Sequence, residues 1–260
     1  MLRSLFSGIS GLRSHQTMLD VTGNNIANVN TTGFKASQVQ FQDTLSQVLT
    51  NAGGAQDGVG GTNPAQVGLG VRVAGITTSF TQGASQTTGR STDMMIQGDG
   101  FFVVRKGAET FYTRAGSFNT NATGQLVTVD GFNVIPAITV PPDALDVVVN
   151  KTGQVFARID GQAELQELGQ LTLASFANEA GLAPLGDNLF QETAASGAAN
   201  VGVPGDPGFA TIEQGYLENS NVDPVKEITE LISAQRAYEM NSKVIQAADE
   251  MAAVVSKNIR

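Results

Sequence analysis

The chain has 260 residues and a hydrophobic fraction of 41%, which is enough for a sizeable buried core. Its formal net charge of -9 argues against a nucleic-acid partner, because phosphate binding needs clustered Lys and Arg. Disulfides and thiolate metal sites are excluded, since the chain contains no Cys. We expect neither a membrane-spanning segment nor a cleavable signal, because polar residues interrupt every apolar run, including the one that starts at Met1.

The first segment predicts an amphipathic helix over residues 2–28. Residues at alternating steps of three and four form a stripe with coiled-coil spacing. Its apolar members are Leu2, Leu5, Ile9, Leu12, Leu19 and Ile26, and its weak points are Gln16 and Gly23. Gly8, Gly11 and Gly23 each weaken such a helix by about 1 kcal/mol relative to Ala. These glycines are either tolerated surface positions or places where a neighbouring helix approaches closely, and both interpretations stay open.

The segment after this helix is rich in Asn, Thr and Gly and predicts a helix exit, because these residues favour turns. A second, weaker helical stripe is predicted at Phe34, Gln38, Phe41, Leu45 and Val48. Residues 51–70 are mostly Gly, Ala, Gln and Asn and predict a pliable linker.

Strand signals dominate residues 71–190, where short alternating or apolar runs are separated by turns containing Gly, Asn or Asp. Gly98-Asp99-Gly100 divides the apolar run of residues 94–104 into two strands. Phe101 and Phe102 place one ring on each face of the second strand, so one ring is expected in the core and the other toward a neighbouring subunit. The region predicts an antiparallel body of barrel or sandwich type.

The last segment predicts a helix that begins at Pro224, with Asp223 as its N-cap and Glu227 supporting the start. Its apolar seam again alternates steps of three and four; the seam comprises Leu231, Ala234, Tyr238, Asn241, Ile245, Ala248, Ala252, Val255 and Ile259. Asn241 is the polar position of this seam. It is predicted either to fix helix register, as a buried Asn does in coiled coils, or to face solvent or a channel.

Residues typical of catalysis are present but not in productive combinations. His15 is the only histidine and has no acidic residue on its face of the helix, so a surface or inter-subunit position is expected. Asp93 and Asp99 flank one strand without the spacing of a carboxylate pair across a cleft. Gly68-Leu69-Gly70 lacks the Lys of a phosphate loop and indicates a turn. No enzyme activity, metal or cofactor is predicted.

Motifs at both ends of the chain resemble the bacterial flagellar axial proteins that build the rod and hook. The N-terminal motif reads NNIANVNTTGFK over residues 24–35 and includes Asn24, Asn25, Asn28, Gly33 and Phe34. The C-terminal motifs GYLENSNVD (residues 215–223) and AQRAYEMNSK (residues 234–243) look like those of distal rod members. Central matches, including DGFF at residues 99–102, extend the resemblance over nearly the whole chain.

The resemblance implies an α+β subunit that is exported by the flagellar type III apparatus without cleavage and that polymerises into a hollow tube outside the cytoplasmic membrane. Helical residues 1–48 and 219–260 are expected in a coiled-coil-like inner core, residues 49–70 as a connecting segment, and residues 71–218 as the β-rich outer domain. Copies of the same chain, other rod and hook proteins and the export apparatus are the expected partners, without membrane insertion. The expected assembly contacts are Leu5, Ile9, Leu12, Leu19, Ile26, Leu231, Tyr238, Asn241, Ile245 and Val255.

Two alternatives stay open at this point. Residues 66–76 and 88–90 look more like a hook protein, so a short hook protein that forms a bendable joint is the second interpretation. A β-rich hydrolase or carbohydrate-binding protein with helical dimerisation ends is the third, but it accounts only for the middle of the chain. Paired terminal stripes and missing catalytic residues favour a filament subunit over the third interpretation. The chain length and the motif at residues 236–242 resemble the distal rod more than the hook, since hook proteins usually carry a further outer domain. The distal rod transmits motor torque and passes exported subunits. Because the C-terminal motif looks rod-like, we expect contacts with neighbouring copies to order residues 51–70 and keep the tube straight, so that deletion of residues 54–64 gives curved assemblies.

Overall fold

A computed structural model describes residues 2–50, 65–159 and 164–258. The chain divides into two compact units. The helical unit comprises residues 1–26, 37–77 and 223–260, and the β unit comprises residues 27–36 and 78–222. Terminal helices packed together and central antiparallel sheets give the α+β class that the sequence predicts. Within the described residues, no helix combines the length and hydropathy needed to cross a membrane.

The two long helices are α1 (Leu2–Ala27) and α2 (Pro224–Asn258), close to their predicted bounds. Asp223 caps α2 as predicted: its Oδ1 accepts hydrogen bonds from the backbone N–H groups of Val225 at 2.9 Å and Lys226 at 3.3 Å. These contacts satisfy donors that the first turn of a helix leaves without partners. The predicted start of the C-terminal helix at Pro224 is therefore confirmed.

The prediction of a second helical stripe over residues 34–48 is wrong. This segment forms strands β1 (Ser37–Asp43) and β2 (Ser46–Thr50), followed by β3 (Ala65–Gly68) and β4 (Val71–Thr78). In β1, the apolar Val39 and Phe41 alternate with glutamines at 38, 40 and 42, which is the two-residue period of a strand. This alternation decides the local structure, against the steps of three and four residues on which the helical prediction was based. β1 pairs with β4 and β2 pairs with β3, so the predicted linker includes a strand. Residues 51–64, which carry the proposed deletion, lie outside the described part.

The β unit is built from short strands joined by tight turns. They are β5 (Ser85–Thr87), β6 (Met94–Gln97), β7 (Phe101–Lys106), β8 (Glu109–Thr113), β9 (Phe118–Thr120), β10 (Leu126–Thr128), β11 (Asn133–Val134), β12 (Ala144–Val149), β13 (Gln154–Ile159), β14 (Gln166–Gln170), β15 (Leu173–Ser175), β16 (Ala183–Gly186), β17 (Leu189–Gln191), β18 (Asn200–Gly202), β19 (Thr211–Gln214) and β20 (Tyr216–Glu218). The largest sheet follows the order β16-β17-β8-β7-β11-β10-β9, and β15 joins β7 to β18. A second sheet has the order β12-β13-β14, while β19 pairs with β6 and β20 with β5.

Two aromatic clusters fill the core of the β unit from opposite faces of β7. Phe102 packs edge-on against Phe118, with ring centroids 5.1 Å apart, while Phe101 packs with Phe80, Phe176 and Phe190. Both Phe101 and Phe102 are fully buried within the chain. The expectation that one of the two rings faces a neighbouring subunit is therefore wrong, because side chains of the same chain cover both faces of β7, including Phe80 and Phe176 from loops.

Candidate assembly surfaces

The buried face of α1 is its face of small and polar residues. Gly8, Gly11, Ser14, Thr22 and Asn25 are buried in the helical unit. The predicted apolar stripe is less covered: Leu5, Leu12, Leu19 and Ile26 are half-buried and Ile9 is exposed. Two helices approach closely only where the facing side chains are small, so α1 uses its glycines for the contact with α2.

Two glycine contacts define how α1 meets α2. A Cβ atom placed on Gly8 would lie 2.9 Å from Cγ1 of Ile245, and one on Gly11 would lie 2.9 Å from Nδ2 of Asn241. Both distances are shorter than real Cβ contacts, so any larger residue displaces the facing side chain. Close approach is thus the correct interpretation for Gly8 and Gly11, whereas Gly23 has no such neighbour within 4 Å among the described residues.

The predicted seam of α2 is only partly covered by the chain itself. Ala234 and Ala248 are buried, and Leu231, Asn241 and Ile245 are half-buried. Tyr238 is exposed, and the side chain of Val255 and all of Ile259 lie outside the described part. The side-chain amide of Asn241 lies beside Gly11 of α1.

An apolar stripe that the sequence reasoning missed runs along the opposite face of α2. Its members are between 44% and 75% exposed; they are Val225, Ile228, Ile232, Met240, Val244, Met251 and Val254. Successive members are separated by 3, 4, 8, 4, 7 and 3 residues, which is one or two helical turns each, so they share one face. At 1.5 Å per residue the stripe is about 44 Å long. The helical spacing of these residues is visible in the sequence, but the prediction used the seam with a 3.5-residue repeat on the other face.

A groove beside α1 forms a second partly apolar surface of the helical unit. It is lined by Phe6, Ile9, Val71 and Val73, with Arg13 and Arg72 at its polar positions. Phe6 and Ile9 are both exposed. Large exposed apolar patches on a soluble subunit are typical of protein–protein contact sites.

Asn25 joins three segments of the helical unit. Its Oδ1 accepts a hydrogen bond from the Ser37 N–H at 3.0 Å, and its Nδ2 donates to the Ser37 carbonyl at 2.8 Å and to Oε2 of Glu227 at 3.1 Å. Asn25 and Glu227 are both buried. These bonds connect the last turns of α1, the start of β1 and the first turn of α2.

The other residues of the N-terminal motif shape the turn after α1. Asn28 accepts hydrogen bonds from Thr31, through its backbone oxygen and through Oδ1, at 3.1 Å each. Gly33 has φ of 70°, and a Cβ there would lie 2.6 Å from the Ala115 nitrogen, so only glycine fits this position. Phe34 is half-buried and Asn24 exposed.

The residues considered for catalysis are not brought together. Asp93 is buried before β6 while Asp99 is exposed in the turn after it, so the two carboxyl groups stand at opposite ends of one strand. His15 is half-buried rather than on the surface, with its ring 6.0 Å from that of Phe41. No group of three or more potential metal ligands occurs among the described residues.

Three protein-family models match separate parts of the chain. Residues 5–35 match the model for flagella basal body rod proteins, and residues 95–157 match the D1 domain of flagellar hook protein FlgE/F/G. Residues 213–258 match the C-terminal model of flagellar basal body rod FlgEFG proteins. The matched regions include α1 with its exit turn, the centre of the β unit and α2.

Curated relatives match over the full length. The chain is 53% identical to the flagellar basal-body rod protein FlgG of Agrobacterium fabrum, covering 100% of both chains. It is 48% identical to the protein of the same name from Caulobacter vibrioides, over 98% of this chain and 99% of the relative. It is also 59% identical to the flagellar hook protein FlgE of Treponema pallidum over 127 residues, which is 49% of this chain and 27% of that protein.

Proposed function

The chain belongs to the flagellar basal-body rod protein FlgG family, and from this premise we propose that its copies polymerise through their terminal helices into a hollow helical tube. It is a structural, non-enzymatic protein of the distal rod in the flagellar basal body. Full-length similarity to rod proteins, against similarity to 27% of a hook protein, sets aside both the hook and the hydrolase interpretations. In the proposed tube, the rod transmits motor torque and its channel passes exported subunits.

The observation that carries this proposal is the exposed apolar stripe of α2. Seven large apolar side chains on one helix face leave much apolar surface in water, which is unfavourable by about 25 cal/mol for each Å². Packing of the stripe against neighbouring copies removes this surface from water. A helix that is apolar on two opposite faces fits a subunit with neighbours on more than one side.

We assign the assembly contacts to side chains of both terminal helices, as the family resemblance implied. They are Leu5, Ile9, Leu12, Leu19, Ile26, Leu231, Tyr238, Asn241, Ile245 and Val255, to which the exposed stripe and the groove at Phe6 are now added. The terminal helices would then form the inner core of the tube and the β-rich residues 71–218 its outer layer. Residues 49–70 would connect the two.

The proposed partners beyond the same chain follow from the place of the relatives in the basal body. The family implies assembly with rod proteins. We propose that one end of the tube contacts other rod proteins and the other end hook proteins, and that the flagellar type III apparatus exports the subunit. The partial match to a hook protein supports a shared subunit design at the rod–hook junction.

Substitution within the exposed stripe tests the assembly surface. We expect the double variant Met240→Asp and Val244→Asp to remain folded but to lose polymerisation, because two carboxylates are placed in the apolar contact. The matched control is Gln246→Asp, which adds the same residue type at an exposed polar position of α2. Helicity is followed by circular dichroism and polymer formation by sedimentation and electron microscopy. Wild-type polymers from the double variant would exclude the stripe from assembly.

Hydrogen exchange tests the same proposal without a substitution. In the monomer, the amides of α2 should exchange faster than those of β7 and β8, because much of α2 faces water. In polymers, we expect protection of α2 to approach that of the β strands. Equal protection of α2 in monomer and polymer would mean that assembly does not cover this helix.

A further inference from the structure

Three charged side chains meet in the interior of the β unit. Lys35 and Arg114 are each 3% exposed and Glu218 is fully buried. Nζ of Lys35 lies 2.5 Å from Oε1 of Glu218, and Nε of Arg114 lies 3.1 Å from Oε2. We refer to these three residues as the ionic cluster.

The ionic cluster also binds backbone groups of the segments around it. Nζ of Lys35 donates to the Thr81 carbonyl at 2.8 Å, and Oε1 of Glu218 accepts from the Gly83 N–H at 2.9 Å. Nη1 of Arg114 donates to the carbonyls of Gly98 at 2.8 Å and Gly100 at 2.6 Å. The cluster therefore joins the exit of α1, the chain around β5, the turn between β6 and β7, and β20.

The charges of the cluster do not cancel, since two cations share one carboxylate. Burial lowers the pKa of Lys35, and the nearby Arg114 guanidinium lowers it further, against the opposing effects of Glu218 and, more weakly, Glu179. Among the described residues, only Glu218 forms an ion pair with Lys35 or Arg114. Before Glu218 arrives, closing this interior would bury two cations whose hydrogen-bond partners are carbonyl groups, with the half-buried Glu179 carboxylate beyond ion-pair distance, which is strongly unfavourable.

Glu218 comes late in the chain, 183 residues after Lys35 and 104 after Arg114. Its neighbours make the remaining contacts to the exit of α1. The Gly33 N–H donates to the Glu218 carbonyl at 2.8 Å, the Asn219 N–H donates to the Ala84 carbonyl at 2.9 Å, and the Ala36 N–H donates to Oδ1 of Asn221 at 2.7 Å. We refer to residues 215–222 as the closing segment.

We propose that the ionic cluster makes closure of the β unit depend on the closing segment. Lys35 and Arg114 keep the interior open in any chain that lacks Glu218, and entry of this carboxylate allows residues 27–36 and 215–222 to dock together. A chain made from its N-terminus cannot complete the β unit until about residue 218 has been added.

The first test measures native-state hydrogen exchange of the full-length monomer. Glu218→Gln preserves the size of the side chain but leaves two buried cations without an anion. We expect the amides of Gly33 and Asn219 to exchange at least about 100-fold faster, while those of β7 and β8 stay protected. Glu213→Gln on β19 is the matched control, because it removes a carboxylate outside the cluster. Equal protection in the two variants would overturn the proposal.

The second test measures how fast the β unit closes after dilution from denaturant, by pulsed hydrogen exchange at Gly33 and Asn219. Lys35→Met leaves one cation paired with one carboxylate, so we expect closure about tenfold faster than in the wild type. The triple variant Lys35→Met, Arg114→Met and Glu218→Met should also close faster, because it buries no charge in this interior. Closure at or below the wild-type rate in both variants would show that the charges impose no delay.

These measurements separate the inference from the proposed assembly. Both use the isolated monomer and report on the β unit, whereas the stripe variants change α2 and are scored by polymer formation. Normal polymers from the stripe variants would contradict the assembly surface without bearing on how the β unit closes. Unchanged closure kinetics would contradict the role of the ionic cluster without bearing on the assembly surface.

Discussion

Substitution of Gly11 by Ala tests the contact between the two terminal helices. A Cβ atom at residue 11 would lie 2.9 Å from Nδ2 of Asn241 and 3.1 Å from both Cγ and Oδ1. The Asn241 amide must therefore rotate or the helices must separate. Gly23 lies in the same helix with open space around it, so Gly23→Ala is the matched control.

Two opposing effects set the size of the change. Alanine favours a helix over glycine by about 1 kcal/mol, and this gain applies at both positions. Overpacking a closely packed contact costs about 1–3 kcal/mol, and this cost applies only at Gly11. We therefore expect Gly23→Ala to stabilise the helical unit by about 1 kcal/mol. Gly11→Ala should leave it unchanged or destabilise it by up to about 2 kcal/mol.

The assay is denaturant unfolding of the monomer, followed by helical circular dichroism. A double-mutant cycle with Asn241→Ala isolates the steric part, since removal of the amide makes room for the new methyl group. We expect Gly11→Ala to become stabilising in the Asn241→Ala background, with a coupling energy of about 1–3 kcal/mol. Equal stabilisation by Gly11→Ala and Gly23→Ala in the wild-type background would refute the close approach of α1 and α2.

Three further predictions concern buried groups. Asn25→Ala should lower the free energy of unfolding of the helical unit by about 2–3 kcal/mol, because the Glu227 carboxylate and the N–H and carbonyl of Ser37 lose their hydrogen-bond partner. The control Gln16→Ala should change this free energy by less than about 0.5 kcal/mol in the same denaturant unfolding assay. Gly116→Ala places a Cβ in direct overlap with the Met94 carbonyl, so the free energy of unfolding of the β unit should fall by more than about 3 kcal/mol, or its thermal unfolding transition should be lost. An unfolding transition equal to that of the wild type would contradict the structure. Burial, and then the nearby Asp99, raise the pKa of Glu179 above 4.5. The folded state thus binds the proton more tightly, and the unfolding free energy contributed by Glu179 falls as pH rises from 4.5 through the folded pKa. The difference in unfolding free energy between wild type and Glu179→Gln should follow this slope, and a difference independent of pH would contradict it.

The exposed stripe of α2 explains why an isolated subunit is an incomplete structure. One face of α2 contacts the glycines of α1, and the opposite face leaves large apolar side chains in water. Folding of the single chain therefore does not bury all the apolar surface that its helices carry. The remaining surface favours polymerisation, in which each added copy removes it from water.

The sequence by itself predicted those features that depend on neighbours a few residues away. The bounds of α1 and α2, the Asp223 cap and the division of β6 from β7 at Gly98-Asp99-Gly100 all follow from local periodicity and turn chemistry. The family motifs, also read from the sequence, identified the flagellar axial proteins. Even locally, two patterns competed in residues 34–48, and the two-residue alternation of β1 prevailed over the helical stripe.

Only the tertiary structure decided which groups meet across long separations. The apolar stripe of α1 suggested the face that would be covered, yet Gly8 and Gly11 make the close contact because small residues let two helices approach. Lys35, Arg114 and Glu218 carry no shared periodicity, and they meet because β20, which carries Glu218, pairs with β5. Periodicity records which face of an element is apolar, but the partner of that face is set by packing of the whole chain.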